Sequence, residues 1–186
     1  MNSRERILAA IARRPVDRIP TDIWMTAEVA AKLRAHFGEG VDLRAALKID
    51  GFAGVGPAYV GPALPAVGPG ESVNYWGMRT RRIPHEGGAY DEQSVCPLAD
   101  AQTIDDLEAY AWPRAEWFDY SALREAAREA GRTHAVMCGY MAPFYYHNLL
   151  RGLETSLVDP LIDPAFTHHL LNRLSDFFYE HHRRIF

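Results

Sequence analysis

The segment that decides the fold is HAVMCGYMAPF, His134–Phe144, the strongest strand candidate in the chain. A short apolar run ends there at a glycine, as expected for a buried strand followed by a turn. One helix pattern, DYSALREAAREAG, precedes it at 119–131, and another, YYHNLLRG, follows it at 145–152. Helix, strand and helix in this order are typical of parallel β/α architecture.

The first quarter of the chain shows the same alternation. An extended pattern, TDIWM at 21–25, leads into a helix pattern at 26–38, with Thr26 as its cap. A short helix at 41–49 and a glycine-broken apolar strand at 50–57 follow. The order helix, strand, helix, strand again favours a parallel sheet.

The stretch RRPVDRIPTDIW, Arg13–Trp24, joins the amino-terminal helix to this alternation. Its arginines suggest a targeting peptide, but no apolar signal core and no small-residue cleavage site follow. Pro15 ends the helix. Ile7, Leu8 and Ile11 form the apolar stripe of that helix. We therefore interpret the stretch as the step from a structural helix into the first strand.

Residues 56–98 interrupt the β/α pattern as a loop and β-hairpin insertion. The part at 56–70, GPAYVGPALPAVGPG, is too rich in glycine and proline to form a regular element. The part at 72–95 alternates and turns at Gly77 and at Gly87–Gly88, which predicts an antiparallel hairpin or meander.

The β/α pattern resumes after the insertion, with a helix at 103–110 for which Thr103 is the expected cap. A long terminal helix is predicted at 164–186. Its apolar residues recur at helical spacing: Phe166, Leu170, Leu174, Phe177 and Phe178. The helix reaches the apolar Phe186 without a cap, so we expect residues 1–186 to be a single, partial domain of a longer protein.

Composition excludes several classes of function. The 186 residues are 48% hydrophobic and 11% aromatic, which is enough to build a core. A net charge of -4 gives no general reason to bind nucleic acid or an anionic membrane. No apolar run is long enough to cross a bilayer. Two cysteines form no disulfide framework, so a cytoplasmic protein is expected.

Six stretches carry a family resemblance. In chain order they are NSRERILAAIARRPVDRIPTDIW, YWGMRTRR, CPLADAQTIDDLEAYAWP, FDYSALREAA, GYMAPF and LLRGLETSLVDPLIDPAF. Together they resemble the uroporphyrinogen decarboxylase superfamily, which includes porphyrin decarboxylases and cobalamin (corrinoid) methyltransferases. The resemblance implies the amino-terminal part of a (β/α)8 barrel, with a β-hairpin insertion, ending near the helix after the third strand.

Barrel enzymes carry their chemistry at the carboxyl ends of the strands, and this rule nominates ligand-contacting residues. Asp22 and Trp24 follow the first strand, and Tyr140 and Phe144 follow the third. The aspartate is equally suited to cap the next helix or to pair with an arginine. The aromatic residues suit the wall of a flat ligand site or an ordinary core. His147 lies in the next helix, where burial would make it neutral and hydrogen-bonded.

Porphyrinogen decarboxylation fits the residues less well. The resemblance implies an arginine pair just after the first strand and an aspartate at the end of the second. The nearest arginine here, Arg34, lies well into the helix, and the strand end falls on Gly56 or Pro57. A polyanionic tetrapyrrole is hard to hold without these cations, so decarboxylation is the second candidate.

The methyltransferase relatives use zinc, held by a His-x-Cys pair and a later cysteine in the second half of the barrel. The chain contains no His-x-Cys. His134 and Cys138 would stand about 13 Å apart on a strand, too far to share one zinc ion. Cys96 lies in a loop without an activating neighbour. We expect no metal site in this chain, and zinc and corrinoid only in a full-length protein.

The expected function is therefore that of a fragment, inactive alone, of a corrinoid-linked, zinc-thiolate methyltransferase acting on a small methylated substrate. Its partners would be that substrate and a corrinoid carrier protein. The alternatives are a uroporphyrinogen decarboxylase and a non-catalytic half-barrel that binds a partner polypeptide. An unclosed parallel sheet also predicts self-association through its open edge.

Overall fold

The computed structural model describes residues 1–186, which form eight α-helices, one 3-10 turn and seven short strands. The helices are α1 Ser3–Ile11, α2 Ala27–Phe37, α3 Leu43–Ala46, α4 Ile104–Ala109, α5 Leu123–Ala130, α6 Pro143–Arg151, α7 Leu153–Ile162 and α8 Pro164–Ile185. The strands are β1 Phe52–Val55, β2 Ala58–Tyr59, β3 Glu71–Val73, β4 Arg79–His85, β5 Gly88–Val95, β6 Phe118–Asp119 and β7 Ala135–Cys138. The predicted α/β class is confirmed.

The chain divides into two compact units. Unit 1 contains 1–57 and 120–139, and unit 2 contains 58–119 and 140–186. The three sheets have two, two and three strands, and none closes into a barrel.

Unit 1 is built on the parallel pair β1 and β7. Phe52 lies opposite Ala135, and Val55 lies opposite Cys138. Helix α5 packs on both strands and α1 packs on β7. The two strands predicted at 50–57 and 134–144 are therefore formed, and they pair in parallel as the alternation required.

The strand predicted at 21–25 is absent, so the sheet of unit 1 has two parallel strands rather than three. The carbonyl of Thr21 accepts from both Asp50 N (3.0 Å) and Gly51 N (3.1 Å). The Thr21 amide donates to the Asp50 carboxylate at 3.0 Å. Both backbone hydrogen-bonding groups of Thr21 are therefore occupied by Asp50 and Gly51, which lie just before β1. Residues 21–25 do not form a strand beside β1.

A partly buried ion-pair network involves two arginines of the amino-terminal stretch, Arg6 and Arg18. Arg6 donates to Asp17 at 2.6 Å and to Asp50 at 2.5 Å, and Arg18 donates to Asp50 at 2.6 Å. The Asp50 side chain is fully buried and Arg6 is nearly so. We call Arg6, Asp17, Arg18 and Asp50 the amino-terminal network. It fastens α1 and the segment after it to the start of β1, which is a structural role.

Unit 2 is held together by helices α6, α7 and α8, which pack on one another, and by an aromatic core. Trp76 is 2% exposed and lies at the centre of that core. Its ring centroid lies 4.9 Å from Tyr146 and 5.0 Å from Phe177. The hydroxyl of Tyr110 donates to the Trp76 carbonyl.

The predicted hairpin is formed by β4 and β5, and β3 extends it to three antiparallel strands. The first residues of β4, RTRR at 79–82, form a basic run, but not all of its arginines are free. Arg81 pairs with Glu71 at 3.1 Å, and Arg82 lies 3.5 Å from Asp91. The run is therefore largely neutralised within its own sheet.

None of the eight helices combines the length and the apolar character that a bilayer-crossing helix requires.

Candidate functional site

Asp22 lies beside a small apolar cavity of unit 1, near the start of β1 rather than its carboxyl end. The cavity has a volume of about 190 Å³ and is lined by Ile7, Ala10, Ile11, Pro20, Thr21, Asp22, Gly51 and Phe52. Neither structural role expected for this aspartate occurs. Thr26 caps α2, and the nearby Arg18 is held by Asp50.

Trp24 lines a different and larger cleft of unit 1. The cleft has a volume of about 640 Å³ and is lined by Ile23, Trp24, Met25, Ala30, Arg34, Val41, Asp42, Leu43 and Arg44. We call it the Trp24 cleft. The indole of Trp24 is 94% exposed.

The carboxyl end of the β1–β7 pair is small, apolar and uncharged. Gly54 lies opposite Met137, and the side chain of Met137 is 55% exposed. A Cβ added at Gly54 or at Gly56 would meet nothing within 4 Å. Gly139 follows β7 with a φ of +78°, a conformation that favours glycine. The residues that end and directly follow the two strands, 55–57 and 138–139, carry no charged side chain.

The two cysteines are unactivated thiols. Burial raises the pKa of Cys138 in unit 1, and burial raises the pKa of Cys96 in unit 2. Each is therefore a poor thiolate nucleophile at neutral pH.

Zinc has no fitting site among the described residues. No group of three or more His, Cys, Asp or Glu side chains lies close enough to hold a metal ion. The residues present thus do not fit the metal that the family resemblance implies.

Tyr140 and Phe144 belong to unit 2, at and just before the start of α6. Both are at least half exposed. The Tyr140 ring makes an edge contact with Tyr145, with centroids 6.3 Å apart, and Phe144 makes one with His147 at 6.1 Å. These rings are available to a ligand or a partner instead of being core.

His147 lies inside unit 2, in a cluster of charged residues that the sequence did not reveal. It is completely buried, and neither of its ring nitrogens has a hydrogen-bond partner. Its Nε2 lies 3.5 Å from Asp159 Oδ2. That carboxylate is already held by Arg151, whose Nε donates at 2.7 Å and whose Nη2 donates at 3.1 Å. We call His147, Arg151 and Asp159 the buried charged cluster.

Arg151 also donates to backbone carbonyls of the segment before α4, at 2.5 Å to Leu98 and 2.8 Å to Ala101. Its guanidinium lies 4.8 Å from the centre of the Phe166 ring. The cluster therefore joins that segment to α6, α7 and α8. Its role is structural, and the only sequence signal for it was an arginine and an aspartate eight residues apart in a largely apolar part of the chain.

Burial lowers the pKa of His147, and the neighbouring Asp159 offsets this only in part. The unfolded state therefore binds a proton more readily than the folded state. Above the ordinary histidine pKa of about 6.5, His147 should not reduce the free energy of unfolding. Below that pH the free energy of unfolding should fall as the pH drops. One proton limits this slope to about 1.4 kcal/mol per pH unit.

His147→Leu is expected to remove this part of the pH dependence. Urea unfolding of both proteins between neutral and mildly acidic pH measures it. His36→Leu, at an exposed position on α2, is the control and should retain the parent slope. Equal slopes for His147→Leu and the parent would contradict the assignment.

The chain matches no protein-family model, no curated protein and no solved structure.

Proposed function

We propose that residues 1–186 belong to a barrel enzyme of the uroporphyrinogen decarboxylase superfamily that transfers a methyl group from a small methylated substrate to a corrinoid. The sequence resemblance supports the family. The parallel β1–β7 pair, with α5 packed on it, is the βαβ geometry from which such barrels are built. We also place the protein in the cytoplasm, and the two free cysteines agree with a reducing compartment.

The observation that carries the choice of reaction is the uncharged carboxyl end of the parallel pair. Gly54 and Gly56 leave room there, and neither they nor Gly139 offers a charge. A porphyrinogen carries several carboxylates, each of which requires a cation or a set of N–H donors when bound. A small methylated compound makes no such demand, so methyl transfer suits this end better than porphyrinogen decarboxylation.

The chain's own residues would contribute the wall of the site. Tyr140 and Phe144 follow β7 in the chain and present exposed rings. Asp22, Trp24 and His147 are not assigned to this wall, because Asp22 and Trp24 line cavities near the start of β1 and His147 is completely buried. Zinc would supply a thiolate nucleophile, and the resemblance assigns its ligands to the second half of the barrel. No step involving zinc is assigned to residues 1–186, because they offer no site for it.

The test uses the protein from the full reading frame, expressed with zinc and mixed with cob(I)alamin and a series of methylated amines, thiols and alcohols. Formation of methylcob(III)alamin, followed by its absorption spectrum, is the expected result for one compound class. Uroporphyrinogen in a parallel assay should lose no carboxyl group. Carbon dioxide release from uroporphyrinogen, or no methylcob(III)alamin from any class, would overturn the proposal.

A second candidate, a non-catalytic module that binds a partner polypeptide, is favoured by the exposed apolar face of α7. Leu157 and Leu161 lie one turn apart on that helix, and both are more than half exposed. The outer edges of β1 and β7 are also unpaired, which permits self-association. This candidate requires that neither methyl transfer nor decarboxylation occur in the assay above.

A further inference from the structure

The Trp24 cleft combines an exposed ring with unpaired positive charge. We propose that it binds a small organic anion with a flat, apolar body and a carboxylate or phosphate group. The site lies within unit 1 and does not depend on the proposed methyl transfer. The cleft lies at the start of β1, because its Arg44 donates to the carbonyl of Phe52, the first residue of that strand, at 3.0 Å. Barrel catalysis occurs at the opposite, carboxyl ends of the strands.

The flat part of the ligand is inferred from Trp24. Trp24 is 94% exposed, so its indole lacks the burial that stabilises most tryptophans in folded proteins. The other apolar residues of the lining are Ile23, Met25, Val41 and Leu43. A planar ring that stacks on Trp24 would cover the indole and contact these side chains. The apolar share of the lining therefore selects a ring rather than a bare ion.

The anionic group is inferred from the two arginines. The side chain of Arg34 has no hydrogen-bond or ion-pair partner. Arg44 donates through Nη1 to the Phe52 carbonyl and has no carboxylate partner. Asp42 is the only acid of the lining. Its Oδ1 already accepts from the amides of Arg44 and Ala45 as the cap of α3. The lining thus carries an excess of positive charge, and guanidinium groups match carboxylate and phosphate oxygens in geometry.

The volume of the cleft sets the size of the ligand. At about 640 Å³ it falls within the range of small-molecule sites in proteins. Naphthoate, naphthyl phosphate and the neutral naphthalenemethanol are therefore suitable probes, since they share one flat body and differ in the charged group.

The experiment measures binding of each probe to the 186-residue chain by quenching of tryptophan emission and by calorimetry. Trp24 is the one tryptophan of unit 1, so quenching that disappears in Trp24→Phe reports this cleft. We expect saturable binding of naphthoate or naphthyl phosphate that weakens as salt is added. The anion that binds more tightly shows whether the cleft prefers a carboxylate or a phosphate group.

Arg34→Gln should weaken anion binding about fivefold to tenfold, the range for an exposed charge-assisted hydrogen bond. Arg124→Gln is the matched control, because Arg124 is an exposed arginine of α5 outside the cleft and the substitution changes the net charge equally. Its affinity should stay within about twofold of the parent. Circular dichroism verifies that both variants fold.

The proposal fails if naphthalenemethanol binds as tightly as the anions, because the cleft would then be only an apolar surface. It also fails if Arg34→Gln and Arg124→Gln behave alike, or if no probe quenches Trp24. None of these results affects the methyl-transfer proposal, which is read from a different product.

Discussion

Replacing Asp50 by alanine is expected to destabilise unit 1 by about 3–5 kcal/mol, the usual effect of removing one partner from a buried ion pair. The carboxylate is 1% exposed and receives both Arg6 and Arg18. Its loss would leave the buried guanidinium of Arg6 short of one partner and the Thr21 amide without its acceptor. A neutral side chain cannot restore these contacts.

The same residue predicts an acid-dependent loss of stability. Burial alone would raise the pKa of Asp50, but hydrogen bonds from Thr21, Arg18 and Arg6 outweigh burial and lower the pKa to about 2. A lowered folded-state pKa means that this contribution is complete above the unfolded pKa of about 4. It is lost as the pH falls from about 4 towards 2, and Asp50→Ala should lack this loss.

Urea unfolding followed by circular dichroism measures the change, and hydrogen exchange at the amides of β1 and β7 assigns it to unit 1. Asp17→Ala is the control, because Asp17 also pairs with Arg6 but its side chain is 44% exposed. It should cost about 1 kcal/mol or less. Equal effects of the two substitutions would show that the burial of Asp50 does not determine its contribution.

Local signals predicted the elements whose cause is local. Thr26 and Thr103 cap α2 and α4 as their sequence positions indicated, through bonds to amides three residues further on. The apolar run before Gly139 forms β7. Capping and apolar runs act over a few residues, so the sequence displays them directly.

The missing strand at 21–25 had a distant cause. Its pattern favours extended backbone, but Asp50, 29 residues away from Thr21, draws that residue into the amino-terminal network. In the sequence, nothing distinguishes Asp50 from other acidic residues near a strand. Its contact with Arg6, which lies 44 residues earlier, is formed only in the folded protein.

The candidate sites show the same limit. Arg34 was recognisable as the first arginine after the predicted first strand, but its cleft depends on α3, whose Arg44 carried no signal of its own. Trp24 was nominated as a ligand contact because it follows the predicted first strand, but its exposure and the cleft beside it depend on tertiary packing that the sequence does not display.

The buried charged cluster of unit 2 supports the other large effect. Asp159→Leu should destabilise unit 2 by about 3–5 kcal/mol, because it leaves the charge of Arg151 buried without a carboxylate. Arg151→Met should cost at least as much, since the carbonyls of Leu98 and Ala101 also lose their donor. As a control, Arg183→Met removes an exposed arginine that pairs with Glu180, and it should cost about 1 kcal/mol or less.

The double variant Arg151→Met, Asp159→Leu separates the ion pair from the carbonyl contacts. Removing both charges relieves the penalty of a single buried charge, so the two effects should fall short of additivity by about 2–3 kcal/mol. The double variant should nevertheless stay less stable than the parent, because the Leu98 and Ala101 carbonyls still lack a donor. Urea unfolding followed by tryptophan emission measures this in unit 2, which holds Trp76, Trp112 and Trp117. Full additivity would show that the two side chains act independently, and complete recovery would show that the carbonyl contacts contribute nothing.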